Sequence, residues 1–79
     1  MKIIVNGNEE NIESETPTVK DAVEQVLSVQ LNDDGLSESG KKLGIAVAQG
    51  EAIIPRSRWA STELYDGDSL EIITAVQGG

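Results

Sequence analysis

The stretch from Lys2 to Ser28, KIIVNGNEENIESETPTVKDAVEQVLS, decides the fold. Ile3, Ile4 and Val5 are consecutive strand formers, so Lys2 to Asn6 reads as a strand. Asn6-Gly7 follows, and both residue types tolerate the positive φ that a two-residue hairpin loop requires. Asn8 to Ser14 then reads as the returning strand. Ile12 is its only apolar residue, and its charges suit a sheet edge, where they discourage further pairing. Pro17 ends that strand. Thr18 is a good N-cap, and Asp21 three residues on gives a start like a capping box. Val19, Ala22, Val23, Val26 and Leu27 recur at helical spacing, with Lys20, Asp21, Glu24 and Gln25 on the other side, which predicts a helix over Val19 to Ser28.

Beyond this unit, Gln30 to Lys42 is polar apart from Leu31 and Leu36 and reads as a mobile loop. Asp33, Asp34 and Glu38 are oxygen ligands, but their spacing departs from the calcium-loop pattern, so no metal is expected. Leu43 to Ala48 is a third strand. It has Leu43, Ile45 and Val47 on one face and Gly44, Ala46 and Ala48 on the other. Ala52 to Pro55 is a short fourth strand at an edge, because Pro55 cannot donate to a ladder. Arg58 to Leu64 reads as a short helical or 3₁₀ turn and Asp66-Gly67-Asp68 as a tight turn. Ser69 to Thr74 is the last strand, and residues 75–79 form a tail.

A hairpin, a helix and then further strands place the helix across one face of a single mixed sheet of four to five strands. This is an α+β, ubiquitin-like β-grasp arrangement in one domain, 1–79. Ile4, Ile73, Ala46 and Ala48 fall on the face the helix leaves open. They are either a docking surface or the scattered apolar residues any surface carries.

Composition narrows the chemistry. A chain of 79 residues can hold one compact core but does not easily wall a deep active site. It contains no Cys and no His, which excludes disulfides, thiolate catalysis, Cys-based zinc sites and an imidazole base. A formal net charge of −8 argues against nucleic acid as a partner. It suits a solvated surface or attraction to a basic protein. With neither an apolar leader nor an apolar run long enough to span a bilayer, no membrane association is expected and the cytoplasm is the expected location.

The sequence ends Thr74-Ala75-Val76-Gln77-Gly78-Gly79. Gly-Gly carries no Cβ, so it can enter a narrow channel and adopt backbone angles closed to other residues. A terminal carboxylate there is ionised at neutral pH. It can attack the α-phosphorus of ATP to give an acyl-adenylate, which a persulfide can convert, after reduction, to a thiocarboxylate. That chemistry needs no catalytic side chain from the carrier. The plain alternative is a frayed end.

Several segments bear a closer resemblance. Ile54-Pro55-Arg56-Ser57-Arg58-Trp59, Thr62, Leu64, Gly67-Asp68 and Leu70 through Gly79, together with Ile45-Ala46-Val47-Ala48, resemble the ThiS family, the sulfur carriers of thiamine thiazole synthesis. The likeness covers about half the chain, and the first 30 residues agree in pattern more than in identity. Asn32 to Lys42 departs from it, being longer and more polar. The Gly-Gly end is shared with ubiquitin-like modifiers and with the small subunit of molybdopterin synthase, which stand as alternative readings. An inert interaction domain is a further one. The Pro-Arg-Ser-x-Trp segment favours the thiamine carriers.

The resemblance implies a non-enzymatic carrier that is adenylated and thiocarboxylated at Gly79, with Val76, Gln77 and Gly78 as the part of the tail entering partner channels. It implies as partners a ThiF-like adenylyltransferase of the ubiquitin-activating type, using ATP and Mg²⁺, a ThiG-like thiazole synthase and, indirectly, a cysteine desulfurase. No cofactor is expected on the carrier itself. Arg56 and Trp59 fit either a partner contact near the tail or internal packing. Ser57 is expected to cap the turn that follows it.

Overall fold

The computed structural model describes residues 1–40 and 43–74. Its first strands, β1 (Lys2–Val5) and β2 (Asn8–Asn11), form an antiparallel hairpin with Val5 opposite Asn8. Asn6 and Gly7 between them have φ of 53° and 82°, the positive values the tight loop demands. β2 stops at Asn11, short of the expected Ser14. There Ile12 turns inward and is buried, and it exchanges hydrogen bonds with Met1: the Ile12 N–H reaches the Met1 carbonyl at 2.7 Å, and the Met1 amino group reaches the Ile12 carbonyl at 2.8 Å.

The helix α1 (Val19–Leu27) starts in the expected capping box. The Asp21 N–H donates to Thr18 Oγ1 at 3.3 Å, and the Thr18 N–H donates to Asp21 Oδ2 at 2.9 Å. It ends one residue before the expected Ser28, which instead takes a left-handed φ of 56° and closes the last turn by donating to the Glu24 carbonyl. Val19, Ala22 and Val23 are buried, and Val26 and Leu27 pack beside them.

Among the described residues the sheet has five strands in the order β2-β1-β5-β3-β4, with β3 at Ile45–Gln49, β4 at Ala52–Ile54 and β5 at Ser69–Thr74. The central pair β1 and β5 is parallel and the other pairs are antiparallel, so the sheet is mixed and the architecture is the β-grasp. The charged β2 and the Pro55-terminated β4 are the two edges, as their composition requires. β3 begins two residues later than expected, and the Leu43 carbonyl is engaged outside the ladder. It accepts from the Ile45 N–H at 2.9 Å and from Arg56 Nη2 at 2.6 Å.

A 3₁₀ helix, Arg56–Ser61, follows β4 and starts two residues earlier than expected. Its N-cap is Pro55, with no side-chain capping bond, so the cap expected of Ser57 is not there. The far end is closed instead by Ser61 Oγ and Thr62 Oγ1, both donating to the Arg58 carbonyl, at 3.3 and 2.7 Å. The core gathers Ile3, Val5, Val19, Val23, Val47, Trp59, Leu64 and Leu70 between helix and sheet. Among the described residues no helix is long and apolar enough to cross a membrane.

Candidate functional site

The tail residues Val76, Gln77, Gly78 and Gly79 lie outside the described residues, so the site is built here from its base. That base is β5, the middle strand. Leu70 and Ile72 point into the core, and Thr74, the last described residue before the tail, is registered opposite Ile45 of β3. On the other side β5 outruns its parallel partner. The Ile4 N–H donates to the Asp68 carbonyl at 2.8 Å and the Asn6 N–H to the Leu70 carbonyl at 2.9 Å, after which the chain turns away at Gly7. The Asn6 side chain carries the pairing one step further. Its Oδ1 accepts from the Ile72 N–H at 2.8 Å, and its Nδ2 donates to the Ile72 carbonyl at 3.2 Å.

The open face of the sheet is next to this base. Ile73 is 49% exposed and lies opposite Ala46, which is also exposed. Ile53, 62% exposed, lies opposite Ala48 on the edge strand. Ile4 is half-buried in β1. Ala48 was expected to be open but is buried; its paired neighbours on that face, Ile53 and Glu71, flank it. Ile53 did not enter the sequence reading, although the alternation that turns Ile54 inward is the signal that turns Ile53 outward. The patch is therefore a short apolar row beside the root of the tail, with the exposed carboxylate of Glu71 within it.

Arg56 and Trp59 sit elsewhere and face inward. Trp59 is 1% exposed, and its Nε1 donates to the Ile54 carbonyl at 3.0 Å. The Arg56 guanidinium lies 4.5 Å from the centre of the Trp59 ring. It donates to three carbonyls of the preceding segment, Gly35 at 3.2 Å, Leu43 at 2.6 Å and Ile45 at 3.1 Å. Desolvation by burial lowers its pKa below the usual arginine value. The ring offers no surface to a partner, and the cation is committed to the chain's own carbonyls.

Besides the Arg56 contact with Gly35, the loop after α1 carries hydrogen bonds of its own. Asn32 Oδ1 accepts from the Asp34 and Leu36 N–H groups at 2.8 and 3.0 Å, the Leu31 N–H donates to Glu24 Oε2 at 2.8 Å, and Leu31 is buried. Among the described residues no group of three or more Asp or Glu side chains is placed to hold a metal. An open groove of about 630 Å³ runs between α1 and this segment, lined in part by Ile12, Asp21, Glu24, Val29 and Leu31. Two of its acids already serve the fold, Asp21 in the capping box and Glu24 on Leu31.

Three comparisons with known proteins bear on this arrangement. The sequence model of the ThiS family matches residues 2–79. A thiazole synthase from Paramagnetospirillum magneticum is 33% identical over 79 residues, which is all of this chain and 20% of that protein. The chain thus spans about a fifth of the length of the curated relative it matches. Among solved structures, a thiamine biosynthesis protein (ThiS) from Geobacter metallireducens superposes with a TM-score of 0.65 at 21% identity, with each chain covered completely. At that identity the likeness concerns the fold.

Proposed function

The chain belongs to the ThiS family, and from that premise we propose that it carries sulfur to thiazole synthase as a thiocarboxylate on Gly79. The observation that carries this reading is the reach of the family match, which runs through residue 79 and so includes the Gly78-Gly79 end. The carboxylate oxygen of Gly79 attacks the α-phosphorus of ATP on a ThiF-like adenylyltransferase, and Mg²⁺-bound pyrophosphate leaves. The terminal sulfur of a persulfide, supplied indirectly by a cysteine desulfurase, attacks the acyl carbon and expels AMP. A thiol then reduces the acyl disulfide, leaving a thiocarboxylate whose sulfur passes to a ThiG-like synthase.

The carrier is a co-substrate in these steps rather than a catalyst, and it holds no cofactor of its own. The chain's lack of Cys and His agrees with that role, since the reacting group is the main-chain carboxylate. The likeness to part of a protein named thiazole synthase supports the choice of acceptor. The proposed location is the cytoplasm, where ATP is available for the activation step. The open face around Ile73, Ile4 and Ile53 is the proposed docking surface, because it is apolar and adjoins the root of the tail.

The test is an intact-mass measurement after incubation with the adenylyltransferase, ATP and a persulfide source. Replacement of one oxygen by sulfur, mapped to Gly79, is the expected result. Absence of that species, with function retained in cells after Gly79 is deleted, sinks the proposal. Growth rescue of a gene deletion by thiazole distinguishes this route from molybdopterin synthesis.

A further inference from the structure

Asn6 does more than a hairpin loop requires. A two-residue loop needs only its positive φ, and Gly or Asp satisfies that as well. Here the Asn6 carboxamide also engages both main-chain groups of one residue 66 positions away. The Ile72 N–H can only donate and its carbonyl can only accept, so the amide orientation is fixed by chemistry: oxygen to N–H, nitrogen to carbonyl. The pair replaces the main-chain groups that β1 would have supplied had it not turned back. Without the pair, β5 would be held after Leu70 by β3 alone. Ile72 immediately precedes Ile73 of the open face and lies two residues before Thr74, the last described residue ahead of the tail.

We propose that Asn6 is a positioning residue that clamps β5 at Ile72 and so sets the direction in which the chain leaves the sheet toward Gly79. The proposal rests on the reading of Gly79 as the reacting end. The folded body docks through its open face, and the clamp fixes where the root of the tail then points. Loosening it leaves docking intact but lowers the fraction of docked complexes in which Gly79 reaches the α-phosphorus of ATP.

Asn6→Gly is the informative variant, because it keeps the positive φ and deletes only the carboxamide. Asn6→Asp keeps the oxygen facing the Ile72 N–H and loses the donor to the carbonyl. The chain has no native Cys, so spin labels can be placed at Thr74→Cys, exposed at the end of β5, and Glu51→Cys without interference. With Asn6 present a narrow distance distribution is expected; in the Asn6→Gly background it broadens, with Asn6→Asp between the two. In adenylation measured by ATP–pyrophosphate exchange, Asn6→Gly should lower kcat by about tenfold while KM for the carrier stays nearly constant, since misalignment acts on the docked complex.

Equal distance distributions in the Asn6 and Asn6→Gly proteins overturn the clamp. A broadened distribution with undiminished kcat, or a loss confined to KM, overturns its role in positioning. Failure of the protein with Asn6 intact to be adenylated at all counts against the carrier reading instead, because the distance measurement needs no partner.

Discussion

Arg56 shows how one side chain can engage a segment that has little apolar content of its own. Its planar fork meets the Gly35, Leu43 and Ile45 carbonyls while its face lies on Trp59, an arrangement an ammonium cannot reproduce. Arg56→Lys should therefore lower unfolding free energy by roughly 1–3 kcal/mol, because part-buried carbonyls lose a charged donor. Urea unfolding checks this, and an unchanged midpoint would show that the carbonyls find other donors. Gly35 is the counterpart of the clamp. Its φ is +79°, and a Cβ there would overlap the Arg56 side chain and come within 2.9 Å of the Arg56 carbonyl oxygen. Gly40 has nearly the same φ, +80°, with nothing within 4 Å of the added atom. Gly40→Ala should cost roughly 1–2 kcal/mol for the left-handed backbone alone. Gly35→Ala should cost a further 1–3 kcal/mol or so for overpacking. The difference between the two midpoints isolates the steric part, and equal effects would argue that the neighbours yield freely.

At the level of elements, interactions between neighbours in sequence are legible and those between distant residues are not. The hairpin, α1 and β5 each rest on residues adjacent in sequence, such as Asn6-Gly7 or Thr18 with Asp21, and the structure has them close to where the pattern places them. Thr18→Ala removes the Oγ1 acceptor of the capping box and should destabilise the chain by about 1 kcal/mol. A loss of helical circular dichroism at intermediate urea should accompany it; Thr18→Ser should retain most of the stability, and failure of that rescue would mean the effect is not capping. The misread elements depend on partners far along the chain. β3 starts late, with the Leu43 carbonyl engaged by Arg56, and the segment after α1 is hydrogen-bonded by Glu24, Asn32 and Arg56 together. Composition reports only its polarity, which is equally that of a mobile loop. Ser57 was misplaced for a simpler reason. The 3₁₀ helix begins at Arg56 behind Pro55, so Ser57 is already inside the element it was expected to cap.

On the proposed function, the whole molecule divides into a folded body and a reacting end. Among the described residues, the buried core residues all lie at or before Ile72. Gly79→Ala should accordingly unfold at the same urea concentration as the unmodified chain. It should still lose at least about tenfold in adenylation, because the added methyl displaces the carboxylate in a narrow channel. A variant with full turnover would show that the partner channel accepts a Cβ at this position.

The complementary change is on the body. Ile73 is half exposed and contributes little to the fold, but in the proposed complex it is desolvated against the partner. Ile73→Asp puts a further carboxylate on a face that already carries Glu71 and Glu9, in a chain of net charge −8. With half of the side chain left to bury, the loss of about 0.8–1.5 kcal/mol of aliphatic contact corresponds to roughly a four- to tenfold rise in KM for the adenylyltransferase. Unlike Gly79→Ala, this variant should approach normal kcat at saturation, since its tail is unchanged. Ile73→Val should bind nearly as well as isoleucine. If both Ile73 variants leave KM unchanged, the open face is not where this partner docks. Opposite effects of the body and tail substitutions, one on KM and the other on kcat, are what a docked body delivering a separate reacting end requires.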